Sequence, residues 1–123
     1  MKEGAGRTVL VVDDDAALRM LCRVNLELDG YEVLEASSVE EAASHAAEHD
    51  IDLVLLDIRM GEGVGNGLML LERLPQGKRP AIALLTGSVD LDKFEQPVEV
   101  DAIISKPFAL DELARVVRDL VAR

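Results

Sequence analysis

Five polar residues stand at the ends of short apolar runs, and their types limit the chemistry that they can do. They are Asp13, Asp14, Asp57, Thr86 and Lys106. Short apolar runs of this kind are typical of buried parallel strands. In an open α/β sheet, ligands bind in the crevice outside the carboxyl ends of the strands. The pattern therefore predicts that three carboxylates, one hydroxyl and one ammonium meet at one edge of a sheet.

The three carboxylates predict a magnesium site, and the whole set suits phosphoryl transfer. Mg²⁺ is usually held by one or two carboxylates plus water, and crowded carboxylates repel one another unless cations lie among them. Lys106 and one Mg²⁺ would together balance the charge of three carboxylates. Asp57 is then a candidate nucleophile toward phosphorus, since carboxylates form aspartyl-phosphates. Thr86 and Lys106 are expected to bind phosphoryl oxygens, because phosphoryl transfer requires positioning and charge neutralisation.

The elements that must position these residues alternate between strand and helix. Strands are predicted at Val9–Val12, Glu32–Glu35, Leu53–Leu56, Ala81–Leu85 and Ala102–Ser105. Such alternation is typical of parallel strands joined by right-handed crossovers, with helices on both faces. The predicted fold class is therefore α/β, a doubly wound five-stranded parallel sheet with five helices in a single domain.

Helical patterns fill the gaps between the strands. The first pattern ends at Gly30, and the second opens at Ser37 or Ser38, each of which has a Glu three residues later as in a capping box. The predicted helices cover Ala17–Leu28, Val39–Ala47, Leu68–Leu74, Val89–Glu95 and Leu110–Val121.

Composition excludes several classes of partner. The chain has 123 residues, 13 basic and 24 acidic, with a net charge of −11. A surface this acidic repels nucleic acid and anionic lipid, so we expect no direct nucleic acid binding and no membrane association. No apolar stretch has the length of a membrane helix, and the single Cys22 allows no internal disulfide, which suits the cytoplasm. Residues 1–7 are predicted to be a flexible tail before a domain over residues 8–123.

Three other motifs suggest competing chemistry. His45-Ala-Ala-Glu48-His49 matches a zinc-peptidase pattern, but a solvated helix face explains it as well. The alternating glycines of 61–67 suggest a phosphate cradle but do not fit the dinucleotide-binding spacing. Asp13 and Asp15 could be the nucleophile and acid of a haloacid-dehalogenase-like phosphatase, whereas Asp15 could equally cap a helix.

The motifs, taken in order, resemble the receiver domain of two-component response regulators. The likeness covers residues 8–121, nearly the whole chain. It rests on four pieces: Val-Leu-Val-Val-Asp13-Asp14-Asp15, Asp52-Leu-Val-Leu-Leu-Asp57-Ile-Arg-Met60, Ala83-Leu-Leu-Thr86-Gly87 and Ser105-Lys106-Pro107-Phe108. The resemblance implies a CheY-like, flavodoxin-like strand order and a signalling switch rather than an enzyme.

The resemblance also implies roles for particular residues. Asp57 would accept a phosphoryl group from a histidine kinase or phosphotransfer protein. Mg²⁺ would be bound by Asp14, Asp57 and the backbone carbonyl of Arg59, with Asp13 acting largely through water.

On the same grounds, Thr86 and Lys106 would bind the phosphoryl group, and the Lys106–Pro107 peptide would be cis. Dimerisation would use the face formed by the fourth helix, fifth strand and fifth helix. An unknown downstream protein would receive the signal. The protein would be a stand-alone regulator or a receiver cut from a longer one.

The sequence departs from the family pattern in its readout region. Receiver domains usually carry an aromatic residue three positions before the lysine, where this chain has Ile103. The glycine-rich Gly61–Gly67 stretch makes the loop after Asp57 unusually long, and we expect it to be mobile. The fourth helical pattern is short and is followed by Pro97. These departures keep open a pseudo-receiver, an interaction module that has lost phosphorylation.

Overall fold

The computed structural model of the chain describes residues 6–60, 63–64, 69–74, 77, 79–87 and 100–122. Strands in these residues are β1 (Thr8–Val12), β2 (Glu32–Ala36), β3 (Leu53–Asp57), β4 (Arg59–Met60), β5 (Gly63–Val64), β6 (Ala81–Gly87) and β7 (Ala102–Lys106). The helices are α1 (Ala16–Leu28), α2 (Val39–Glu48), α3 (Met69–Arg73) and α4 (Leu110–Val121).

Five of the strands form one parallel sheet in the order β2-β1-β3-β6-β7. This is the predicted flavodoxin-like order, and all five predicted strands are confirmed. In this order, the three inner strands are β1, β3 and β6. The registers pair Val12 with Leu56 and Asp57 with Leu85, so these strands end at the same edge of the sheet.

Alternate residues of the inner strands form two apolar cores, one on each face of the sheet. On one face, Leu10 and Leu56 pack with residues of α2 and α3. On the other face, Val11 and Leu55 pack with residues of α1 and α4. Both faces are covered, which explains why the middle of each inner strand is a continuous apolar run. Burial of each such side chain contributes about 1.5–3 kcal/mol relative to leaving it exposed.

The ends of α1 follow from its local sequence. Asp15 is the N-cap, and its carboxylate accepts hydrogen bonds from the Ala17 and Leu18 amides. At the other end, Gly30 has a φ of 95°, which glycine adopts without strain. The Gly30 and Tyr31 amides donate to carbonyls of the last turn, as in a Schellman motif. The predicted stop at Gly30 is confirmed.

The start of α2 distinguishes the two possible serine caps. Ser38 is the N-cap, and its hydroxyl accepts from the Glu41 amide at 3.1 Å. The Glu41 carboxylate in turn accepts from the amide of Ser37 at 2.7 Å. The capping box therefore combines both serines rather than either one alone.

Several predicted features lie outside the described residues. They include the fourth helix at 89–95, residues 1–5 of the tail and most of the Gly61–Gly67 loop. Part of that loop is described: Gly63–Val64 pairs antiparallel with Arg59–Met60. Among the described residues, no helix is long and apolar enough to cross a membrane.

Candidate functional site

The carboxyl ends of β1 and β3 bring the three predicted carboxylates together. Asp13 directly follows β1, Asp14 is its neighbour, and Asp57 is the last residue of β3, the strand paired with β1. One carboxylate oxygen from each residue lies within 4.8 Å of the other two. Asp13 is fully buried and Asp57 is 6% exposed, whereas Asp14 is exposed. The set thus offers hard oxygen ligands with one side open to solvent.

Lys106, at the end of β7, supplies a positive charge to this cluster. Its ammonium nitrogen is 3.1 Å from Oδ2 of Asp13 and 3.5 Å from Oδ2 of Asp57. Burial alone would lower the pKa of Lys106, but the hydrogen bond to Asp13 and the charges of Asp13 and Asp57 outweigh burial and raise it above its ordinary value. The ammonium is therefore charged, yet one such charge does not balance three carboxylates.

The turn between β1 and α1 fixes the orientation of Asp13. The Asp15 amide donates to Oδ1 of Asp13 at 2.9 Å, so one carboxylate oxygen faces the turn and the other faces Lys106. The carboxylate of Asp15 is occupied in capping α1. The phosphatase alternative needs Asp15 as a free acid beside Asp13, and this arrangement does not favour it.

Thr86 and Arg59 complete the set that the sequence predicted. Thr86 is in β6, one position beyond the Leu85 that pairs with Asp57, and it is buried. Its hydroxyl donates to the Gly87 carbonyl at 3.0 Å. Arg59 begins β4 two residues after Asp57, and its carbonyl remains a predicted ligand. The sheet therefore brings Asp13, Asp14, Asp57 and Lys106 into one cluster and places Thr86 on the adjacent strand.

Sequence reasoning missed a charged network beside the site. The Arg19 guanidinium donates to the backbone carbonyl of Asp13 at 2.6 Å and to Glu35 at 3.3 Å. Glu35 also accepts from Arg23 at 2.7 Å, and the Glu35 carbonyl lies 3.0 Å from Nε2 of His45. The sequence did contain a signal for this network. Arg19 and Arg23 are four residues apart on one helix, where side chains share a face, and Glu35 interrupts the apolar residues of β2.

The zinc-peptidase pattern does not form a metal site in the part of the chain that is described, and most of the glycine-rich stretch 61–67 lies outside that part. Among the described residues, the group Asp13, Asp14 and Asp57 is the one set of three or more metal-ligating side chains, and no such set includes His45 or His49. Cys22 is buried, and burial raises the pKa of its thiol to about 11, so it is an apolar core residue rather than a reactive thiol.

The opposite edge of the sheet carries a separate cleft. It has a volume of about 500 Å³, and its lining combines apolar residues with four charged ones, Arg7, Arg79, Asp52 and Asp101. The Asp52 carboxylate there accepts a hydrogen bond from the Thr8 amide at 2.8 Å. This cleft therefore lies at the amino ends of the strands, away from the clustered carboxylates.

Comparison with known proteins identifies the family. The sequence model of the family described as response regulator receiver domain matches residues 9–118, most of the chain. The chain belongs to the response regulator receiver domain family. Receiver domains are signalling domains rather than enzymes in the usual sense.

Individual relatives agree with this assignment. The chain is 35% identical over 123 residues to the phosphate regulon transcriptional regulatory protein PhoB of Pseudomonas aeruginosa, covering 96% of this chain and 53% of that protein. It is 33% identical over 117 residues to the aerobic respiration control protein ArcA of Escherichia coli, covering 94% and 48%. The receiver domain thus spans about half the length of these curated relatives.

Solved structures of receiver domains show the same fold. The receiver domain of the hybrid histidine kinase CckA has a TM-score of 0.74 and 30% identity, covering 93% of this chain and 98% of that chain. The chemotaxis response regulator CheY4 of Vibrio cholerae has a TM-score of 0.80 and 24% identity, with coverage of 93% and 98%.

The structure describes the position of Ile103, where the family resemblance predicts an aromatic residue. Ile103 lies on the edge strand β7, opposite Leu84 of β6, and is 50% exposed. An aliphatic side chain there cannot act as a ring that turns between buried and exposed positions. The Lys106–Pro107 peptide is cis, as the family resemblance implied.

Proposed function

We propose that Asp57 accepts a phosphoryl group, with Mg²⁺ present, from a histidine kinase or phosphotransfer protein, and that the domain acts as a cytoplasmic signalling switch. One observation carries the proposal. The carboxylate of Asp57 stands at the end of β3, beside two further carboxylates and 3.5 Å from the Lys106 ammonium. Few functions need a nearly buried carboxylate that lies beside both negative carboxylates and a positive ammonium. A phosphoacceptor needs this arrangement, because it must bind a cation and an incoming phosphoryl group.

The residues at the site fit a magnesium ion. Asp13, Asp14 and Asp57 provide hard oxygen ligands within 4.8 Å of one another, which is the donor chemistry that Mg²⁺ prefers. We infer that these three side chains and the carbonyl of Arg59 hold the ion, Asp13 largely through water. When bound, Mg²⁺ supplies positive charge that neutralises the incoming phosphoryl group.

The remaining steps fall to side chains of this chain. A carboxylate oxygen of Asp57 forms a bond to phosphorus while the bond from phosphorus to the donor nitrogen breaks, and the donor imidazole keeps that electron pair. No general base is needed, because an ionised carboxylate is itself the nucleophile. The Lys106 ammonium holds positive charge where a phosphoryl oxygen would arrive.

Thr86 supports the switch half of the proposal. Its hydroxyl now donates to the Gly87 carbonyl, and a phosphoryl oxygen on Asp57 would offer it a charged acceptor. Charge-assisted hydrogen bonds are roughly twice as strong as neutral ones. Phosphorylation would therefore draw Thr86 toward Asp57 and change the hydrogen bonding at the end of β6.

The surface of α1 supports a protein phosphodonor. This helix begins beside the carboxylates and exposes an apolar stripe that consists of Met20, Leu21, Val24 and Leu28. We infer that a histidine that delivers phosphate to Asp57 approaches over this end of the helix and that the donor protein covers the stripe. A dimer through residues 89–95, β7 and α4 stays a prediction, since residues 89–95 lie outside the described structure.

Phosphorylation with a small donor tests the proposal. The protein is incubated with acetyl phosphate, with and without Mg²⁺, and its intact mass is measured. We expect one added phosphoryl group, dependent on Mg²⁺, that Asp57→Asn abolishes and Asp52→Asn retains, because Asp52 lies at the other edge of the sheet. Label on Asp13 would support the phosphatase alternative instead. No label on folded protein would support a pseudo-receiver.

A further inference from the structure

Asp13 is held from several directions, and two of its contacts restrain the main chain. Its amide donates to the Ala36 carbonyl of β2 at 3.1 Å. Its carbonyl accepts the 2.6 Å hydrogen bond from Nη1 of Arg19. The side chain is bound separately, by the Asp15 amide and by Lys106. The peptide that joins Asp13 to Asp14 is therefore fixed by Arg19 rather than by the sheet.

Arg19 is itself held at both ends of its guanidinium. The side chain is 16% exposed, and Nε lies 3.3 Å from Oε1 of Glu35. The next residue of β2 is Ala36, whose carbonyl accepts from the Asp13 amide. Both restraints on the Asp13 main chain therefore originate from β2, one directly and one through Arg19. A guanidinium presents its donors in a rigid planar fork. It can bind the Glu35 carboxylate on one side and the Asp13 carbonyl on the other, which a single ammonium cannot reproduce.

Arg23 provides a natural comparison on the same helix. It also binds Glu35, through Nη1 at 2.7 Å, and it also carries one positive charge. It has no hydrogen bond to Asp13 among the contacts of the described residues. Arg19 and Arg23 thus share an acceptor and a charge, and they differ in the contact with the Asp13 carbonyl.

We propose that Arg19 is a positioning residue for the carboxylate site: by binding the Asp13 carbonyl, it orients the Asp13–Asp14 peptide so that both carboxylates converge with Asp57. The inference rests on the proposed Mg²⁺ function of that site. Groups that orient metal ligands without touching the metal typically affect metal affinity by about 10–100-fold.

Charge and geometry predict opposite effects of removing Arg19. If only charge mattered, loss of a nearby cation would let the acidic cluster bind Mg²⁺ more tightly. If Arg19 positions the ligands, its loss weakens binding, because Asp13 and Asp14 no longer point to a common centre. The sign of the change therefore separates the two explanations.

The test measures Mg²⁺ binding by isothermal titration calorimetry for wild type, Arg19→Gln and Arg23→Gln, each shown to be folded by urea unfolding. We expect Arg19→Gln to bind about 10–100-fold more weakly and Arg23→Gln to bind like wild type. Amide NMR spectra without metal should show Asp14 and Asp15 shifted in the Arg19 variant alone. If Arg19→Gln does not fold, Arg19→Lys replaces it and should also bind more weakly than wild type.

Each contrary result has a distinct meaning. Unchanged or tighter Mg²⁺ binding by the Arg19 variant overturns the positioning role, and so does equal weakening in the Arg23 variant. Wild type that binds no Mg²⁺ refutes the metal part of the proposed function. In that case the NMR shifts of the Asp14 and Asp15 amides still test whether Arg19 orients the turn. If these amides do not shift in the Arg19 variant, the positioning role is rejected.

Discussion

Replacing Lys106 with methionine tests whether this ammonium balances the buried carboxylates. Lys106 lies 3.1 Å from Asp13 and 3.5 Å from Asp57, and their side chains are 1% and 9% exposed. Methionine keeps much of the apolar stem but removes the charge. Asp13 and Asp57 would then face each other without their cation, and we expect the folded state to lose stability.

The size of the loss follows from burial. Removing one partner of a fully buried ion pair costs about 3–5 kcal/mol. The Lys106 side chain is 29% exposed, so water screens part of the interaction, and we expect a loss of about 2 kcal/mol. For a domain of this length, that loss lowers the melting temperature by roughly 8 °C.

Urea unfolding of wild type and Lys106→Met, with and without Mg²⁺, measures the effect. The matched control is Arg73→Met, since Arg73 lies 3.9 Å from Glu40 in an exposed pair and should change stability by less than about 1 kcal/mol. Mg²⁺ should stabilise Lys106→Met more than wild type, because the ammonium no longer competes for the carboxylates. Equal stabilisation by Mg²⁺, or a loss no larger than in the control, would refute the charge-balance reasoning.

The same comparison has a predictable pH dependence. The pKa of Lys106 is raised in the folded state, so its contribution is fully present below the unfolded pKa of about 10.4 and is lost as pH rises through the folded value. The stability difference between wild type and Lys106→Met should therefore be constant from neutral pH to about pH 10 and shrink above it. A difference that shrinks on acidification below pH 7 without any change above pH 10 would contradict this assignment.

Three further predictions concern the scaffold. Ser38→Ala should cost about 1 kcal/mol in urea unfolding through loss of the N-cap, whereas Ser37→Ala, which keeps its backbone bond to Glu41, should cost less than about 0.5 kcal/mol. Leu10→Ala should cost about 3–4 kcal/mol because Leu10 is fully buried in an inner strand, and Leu28→Ala, on the surface, should change stability little. Cys22, with a pKa of about 11, should resist iodoacetamide at pH 8 in native protein and react on unfolding.

The fold was predictable because its signals are local and repeated. Each inner strand contains a continuous apolar run, and β1 and β3 are buried on both faces, as their sequences indicate. The stop of α1 at Gly30 was predictable because few other residues adopt a positive φ there without strain. The pairing of Gly63–Val64 with Arg59–Met60 was not, since a two-residue strand in a glycine-rich stretch carries no periodic pattern.

The site was predictable as far as strand ends determine it. Asp13, Asp57 and Lys106 meet because parallel strands end together, and this needs only strand boundaries and order. The role of Arg19 depends on which face of α1 lies over β2, and helical periodicity fixes a face only relative to its own helix. The two arginines of α1 look alike in the sequence, and only the packing of the helix on Glu35 and Asp13 distinguishes them.

The polarity of the sheet explains why aspartates at its two edges differ in role. At the amino ends of parallel strands, backbone amides need acceptors. Asp52 accepts from the Thr8 amide and Asp101 from the Ile82 amide, each at 2.8 Å, so a backbone amide stabilises each of these carboxylates. At the carboxyl ends, the strands present carbonyl oxygens, which do not stabilise a carboxylate. Asp13 accepts one backbone amide, from Asp15, and both Asp13 and Asp57 lie against the Lys106 ammonium. A cation added at this edge would supply further positive charge to the carboxylates, and in the proposed function this makes the edge responsive to ligands.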